Sequence, residues 1–181
     1  MKARLMLFCG ALLAAMVGVG SDSYAANIDG YKKIKFGITQ QALKKQHPCS
    51  IIFDKPDAAG IITAYCTDFS FNGSETYATF HLIDGKLLRI SILAGDSYTD
   101  FMSVGKGLVG KYGKADTGAP QSVNAYEEGQ VNEIKLTWDP GVLLAMHRSS
   151  GGNQMVSVIY SDARYVDLYQ AAKQKLMGKD L

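Results

Sequence analysis

Apolar residues recur along this chain with two periods, and the switches between them mark out its elements. Thr39 stands as an N-cap before Gln40-Gln41-Ala42-Leu43-Lys44-Lys45, and Pro48 stops the helix so begun. Residues 61–72 alternate, with Tyr65, Phe69 and Phe71 on one parity, and read as a strand ending at Asn72-Gly73. Beyond it, Ala78, Phe80 and Leu82 share one parity, and Leu88, Ile90 and Ile92 follow across Asp84-Gly85. A two-residue Asp-Gly turn would pair Leu82 with Leu87 and set Phe80 opposite Arg89, splitting the apolar set between two faces. A three-residue loop, Ile83-Asp84-Gly85, pairs Phe80 with Leu88 and Ala78 with Ile90, and the pattern prefers it.

The device recurs. Ile134, Leu136 and Trp138 lead into Asp139-Pro140-Gly141 and then Val142, Leu144 and Met146. A three-residue loop puts all six on one face, with Pro140 preset for the turn and Gly141 left-handed. A further strand carries Val156, Val158 and Tyr160, and residues 121–127 are a candidate for another. A helix from about Tyr98 to Tyr112 places Phe101, Val104, Leu108 and Tyr112 at helical spacing, with Gly113 as its C-cap. A last helix, 163–177, carries Tyr165, Leu168, Tyr169, Ala172 and Leu176 on one stripe before Gly178. This order predicts an α+β fold: an antiparallel sheet with helices packed on one face. It also suggests two related helix–meander halves, 30–94 and 95–161, within a single domain of residues 26–181.

Composition changes the picture mainly at the N-terminus. Lys2 and Arg4 precede an apolar stretch from Leu5 to Val19, and Ser23-Tyr24-Ala25 offers small residues at −3 and −1. This is the pattern of a secretory signal peptide over residues 1–25, cleaved after Ala25. The stretch is too short for a membrane anchor and is interrupted by Gly18, Gly20 and Asp22. Phe8 precedes Cys9 where a lipoprotein signal carries a small residue, so Cys9 belongs to the leader. The short basic region looks bacterial, which places the mature chain in the periplasm, or outside the cell altogether. Asn72-Gly73-Ser74 is a glycosylation acceptor only in a eukaryotic secretory host. Cys49 and Cys66 then remain, and an even count in an oxidising compartment favours a disulfide. Closing a loop of about 16 residues contributes roughly 3 kcal/mol in the chain-entropy view. The whole sequence holds 19 basic and 17 acidic side chains without a basic stripe, which gives no reason to expect nucleic acid as a partner.

The sheet face away from the helices would carry Tyr77, Thr79, His81, Arg89, Ser91, Glu133, Lys135, Thr137 and His147. An antiparallel sheet can expose such a face to water, yet Tyr and Arg are favoured at interface centres. Tyr77, Thr79, His81, Arg89, Lys135 and His147 are therefore the candidate binding surface. The leader, the Phe36-Gly37-Ile38-Thr39 opening to a short helix, and Lys111-Tyr112-Gly113 resemble features of small exported tandem α/β proteins. In architecture the chain resembles the SmpA/OmlA outer-membrane-assembly group and the β-lactamase-inhibitor-protein fold. The resemblance implies a non-catalytic, protein-binding role. It carries over no site residues, and the chain lacks the lipidation cysteine of the SmpA/OmlA group.

Candidate chemistries are incomplete. Gly105-Lys106-Gly107-Leu108-Val109-Gly110 matches G-x-G-x-x-G but lacks the strand that should run into it; Glu127 and Glu128 fall where a ribose-binding acid would. Read as a P-loop, the same stretch puts Tyr112 where a Ser or Thr must bind magnesium. Ser103-Val104-Gly105-Lys106 matches S-x-x-K without the Lys-Thr-Gly or Ser-Asp-Asn partners of penicillin-interacting enzymes. His47, His81 and His147 have no metal-binding spacing. The expectation is a non-enzymatic protein-binding module without cofactor or metal, such as an inhibitor, toxin-neutralising or envelope-assembly protein. The alternatives are a carrier of a small apolar ligand and, less favoured, a cell-wall or β-lactam hydrolase using Ser103 and Lys106.

Overall fold

The structure, a computed structural model, describes residues 28–116, 120–138 and 141–178. The leader expected at residues 1–25 and the Asp139-Pro140 pair lie outside them. Strands β1 (Gly30–Tyr31) and β2 (Ile34–Lys35) form a small ribbon. Helix α1 (Gln40–Gln46) and the short β3 (Ile52–Phe53) follow, then β4 (Ile62–Phe71), β5 (Ser74–Ile83) and β6 (Lys86–Gly95). Helices α2 (Tyr98–Tyr112) and α3 (Pro120–Glu127) precede β7 (Glu133–Trp138), β8 (Val142–Arg148) and β9 (Gln154–Ser161), and α4 (Tyr165–Met177) closes the order. The seven strands from β3 onward make one antiparallel sheet in the order β3-β4-β5-β6-β9-β8-β7. The fold is α+β, as the element order implies. Residues 120–127 are helical, not a strand. Their Tyr126 is 1% exposed and reaches the core, an anchoring that outweighs the weak alternation of the segment.

Local chemistry sets each element. The Thr39 hydroxyl accepts the Ala42 amide at 3.2 Å, and His47 in the left-handed region ends α1 ahead of Pro48. Ser97 caps α2 by accepting the Asp100 amide, and Gly113, at φ 84°, terminates it. The β5–β6 turn is the two-residue form that the alternation argued against. Asp84 and Gly85 take φ of 50° and 70°, and Leu82 pairs with Leu87. A bulge then inserts Leu88, so that His81 meets Arg89 and Phe80 meets Ile90. One extra residue restores the parity that a regular ladder would have lost. Leu87 joins the face of Phe80, and Leu88 turns to the other.

A second bulge, between Cys66 and Phe69 on β4, separates Tyr65 from the parity of Phe69 and Phe71. Ala64, Cys66, Phe69 and Phe71 all face the core, while Tyr65 faces away from it. The β7–β8 hairpin matches the three-residue expectation, with Trp138 opposite Val142 and Leu136 opposite Leu144. Gly141 is confined by its neighbours. Its backbone lies against the end of β9, where a Cβ would strike the Ser161 carbonyl, and its own carbonyl accepts the Ser161 amide at 2.8 Å. Close approach requires glycine there.

Two rows of core side chains cross the sheet. Ala64, Phe80, Ile90, Tyr160, Val142 and Trp138 are successive partners in one, and Cys66, Ala78, Ile92, Val158, Leu144 and Leu136 in the other. On them pack Leu43 of α1, Phe101, Val104 and Leu108 of α2, and Tyr126 of α3. Cys49 and Cys66 form a disulfide that ties the α1–β3 connection to this core. The expectation that all helices share one face is corrected by α4. It lies on the opposite face, where Tyr165 and Ala172 cover Ile61, Ile83 and Leu88. Ile61 and Ile83 have the parity of His81 and the bulge turns Leu88 to the same side, so all three would be left in water without it.

The glycines of α2 divide by position. A Cβ on Gly105 would meet Leu144 at 3.3 Å, whereas one on Gly107 or Gly110 would meet nothing within 4 Å. Only Gly105 answers to close packing against the sheet. Gly107→Ala and Gly110→Ala are expected to stabilise the fold by up to about 1 kcal/mol each in chemical denaturation, through backbone entropy. Gly105→Ala is expected to gain less, because the added methyl crowds the fully buried Leu144.

Candidate functional site on the second face of the sheet

The second face has two parts, one under α4 and one without a helix. Under α4, four side chains from four elements interlock. His81 Nδ1 lies 2.8 Å from the Tyr165 hydroxyl, and Arg89 Nε donates to Ser161 Oγ at 3.0 Å. The Arg89 guanidinium stacks 3.8 Å from the centre of the Tyr165 ring. Lys173 reaches Asp57 at 2.7 Å and fixes the far part of the helix to the loop before β4. Burial, and then the Arg89 charge, hold His81 below its ordinary pKa. Burial also raises the Tyr165 hydroxyl. His81 and Arg89, expected on an open surface, are thus engaged by the C-terminal helix.

The helix-free part is built from a third cross-sheet row. Tyr65, Thr79, Ser91, Ile159, Leu143 and Thr137 are successive partners from β4 to β7. Tyr77 lies beside Tyr65, with ring centres 6.2 Å apart, and is 42% exposed. Ile52, the partner of Tyr65 on β3, and Met155 on β9 are about half exposed. Met155 pairs with His147, and His147 with Glu133, whose carboxylate binds Lys135 at 2.7 Å. Tyr77, Thr79, Lys135 and His147 therefore stand on one face, as the alternation implied.

His81 and His147 share that face without meeting. Their rows cross β9 at Ser161 and Met155, six residues apart, which is roughly 20 Å of strand. His47 is elsewhere again, at the end of α1. Cys49, Cys66 and Asp68 are close enough to suggest a ligand set, but the sulfurs are joined to each other and Asp68 accepts the Ser50 amide. That hydrogen bonding holds the Asp68 carboxyl below its usual range. The glycine motif sits inside α2, so its amides belong to a continuous helix, and Ser103 and Lys106 are exposed on that helix.

A family described as "Uncharacterised protein" matches residues 31–180. The chain belongs to that family. No curated protein and no solved structure matches it. The matched span takes in both meanders and α4, so the covered and helix-free parts of the second face both lie within the family's shared sequence.

Reading the alternation alone misses Tyr65, Ile52 and Met155 in the candidate surface. Tyr65 is hidden by the β4 bulge, and Ile52 by a two-residue strand too short to show a period. Met155 was legible, since it has the parity opposite to Val156, Val158 and Tyr160.

The α4 clasp has a pH signature. His81 is depressed from 6.5 in the folded chain, so the unfolded chain takes up its proton first as pH falls. Its contribution to stability is present above about pH 6.5 and is lost as pH falls from there through the folded pKa. Denaturation curves at pH 7.5 and pH 5 should show a smaller difference for His81→Gln than for the unmodified protein.

Proposed function

We propose that this protein is an exported, non-catalytic module that binds another protein on the helix-free part of its second sheet face. The observation that carries the reading is the Tyr65–Tyr77 pair, standing on β4 and β5 beside the exposed Ile52, with exposed Met155 farther along the same face on β9. Tyrosine and methionine offer large contact area, and strand backbones hold it in place at little ordering cost. Lys135 and His147 supply a polar margin at one end. Such a surface suits an enzyme inhibitor, a toxin-neutralising protein or an envelope-assembly factor, the roles that the resemblance to small exported tandem α/β proteins implies. The disulfide and the leader pattern support an oxidising, exported setting. No described helix is long and apolar enough to cross a membrane.

The carrier reading receives less support. Between sheet and helices the space is occupied by Phe80, Phe101, Leu144 and Tyr126, each no more than 1% exposed. A hydrolase reading loses its focus with Ser103 and Lys106 on the outside of α2.

Two measurements test the proposal. Expressed with its leader in a bacterium, the protein should be recovered from the periplasm with Ala26 as its first residue by intact mass; an uncleaved cytoplasmic chain would refute export. Immobilised at micromolar concentration, it should retain a partner from periplasmic extract, and a Tyr77→Asp, Met155→Asp variant of unchanged melting temperature should retain at least tenfold less. Equal retention by the variant, or no retained protein, would overturn the docking face.

A further inference from the structure

A cleft of about 570 Å³ lies where α4 begins, beside the clasp and away from Tyr77 and Met155. Its floor is apolar: Ile159 of β9 and Leu143 of β8 are direct partners, and Val166 of α4 forms a wall although 59% exposed. Thr137 continues the floor on β7, and Arg89 closes the end on β6. The volume is that of a small-molecule site, and one fixed cation above an apolar floor is the usual composition of one.

Arg89 is the group that asks for a ligand. Ser161 and the Tyr165 ring hold its guanidinium in place, so little is lost in ordering it. It is half-buried, and the ion pairs among the described residues join Lys35 to Asp29, Lys135 to Glu133, Arg164 to Asp162 and Lys173 to Asp57, with none on Arg89. A partly desolvated guanidinium binds a planar carboxylate with charge-assisted, paired hydrogen bonds. The other charges of the cleft limit the ligand's own. Asp162 is held by Arg164 at 2.8 Å, and Asp116 lies at the β7 side, three strands or roughly 14 Å from β6. Among the described lining residues, one cation and two acidic groups suit a single negative charge better than a phosphate dianion.

We propose that this cleft binds a monocarboxylate with an apolar body, its carboxylate on Arg89 and its body over Ile159 and Leu143 against Val166. The chemistry is that of a small aryl or alkyl acid or of the terminal residue of a peptide. The site does not rest on the protein-docking reading.

Titration of the ¹⁵N-labelled protein with 4-phenylbutyrate, Gly-Gly-Leu and the amide of each tests it. At least one acid should shift the amide signals of Leu143, Ile159, Ser161 and Val166 saturably, with its amide at least tenfold weaker. Preference for the tripeptide over phenylbutyrate assigns the carboxylate to a chain terminus, and the reverse assigns it to a small acid. Arg89→Gln should abolish the effect. Because Arg89 also supports α4, the surface variant Val166→Glu provides the second check and should weaken binding at least tenfold through charge repulsion. Acid and amide binding alike, undiminished binding to Val166→Glu, or no saturable shift with either acid would overturn the proposal.

Discussion

The pairing of β6 with β9 is the constraint on which the rest of the molecule depends. It joins two three-stranded meanders, each the product of local hairpins, into one sheet. Ile90 opposite Tyr160 and Ile92 opposite Val158 carry the core rows across the junction, so that α1, α2 and α3 share one apolar surface. The same pairing sets Arg89 beside Ser161, and Ser161 ends the strand from which the chain turns into α4. The position of the C-terminal helix, and with it the division of the second face into covered and open parts, follows from this register.

Legibility in the sequence followed the regularity of the backbone. Helix α2 and the β7–β8 hairpin were readable to the residue, because their apolar sets keep an unbroken period from Phe101 to Leu108 and from Ile134 to Met146. The β5–β6 hairpin was misread for an instructive reason. Asp84-Gly85 has the chemistry of a two-residue turn, and the objection from parity held only for a ladder without a bulge. Leu87 and Leu88, adjacent and both buried, were the trace of that bulge: neighbouring strand residues point to opposite faces, so burial of both means both faces are covered. The amphipathic stripe of α4 was equally visible, but a stripe does not say which side of the sheet it will cover. The candidate surface was half legible for the same reason. Strand parity placed Tyr77, Thr79, Lys135 and His147 on one face, while the clasp on His81 and Arg89 is a tertiary contact that parity does not encode.

The edges of the sheet bear on how other molecules can approach it. An unpaired strand edge is a template for adding a strand from another chain. At one edge stands β3, only two residues long. At the other, the Asp116 amide already occupies the Thr137 carbonyl at 2.7 Å, and Glu133 and Lys135 place charges along β7. Among the described residues, neither edge strand offers a long, bare, apolar ladder. Strand exchange between molecules is discouraged at both described edges of the sheet, so under the docking proposal contact falls on side chains of the broad face, where shape and chemistry discriminate, and not on backbone pairing, which accepts almost any extended chain.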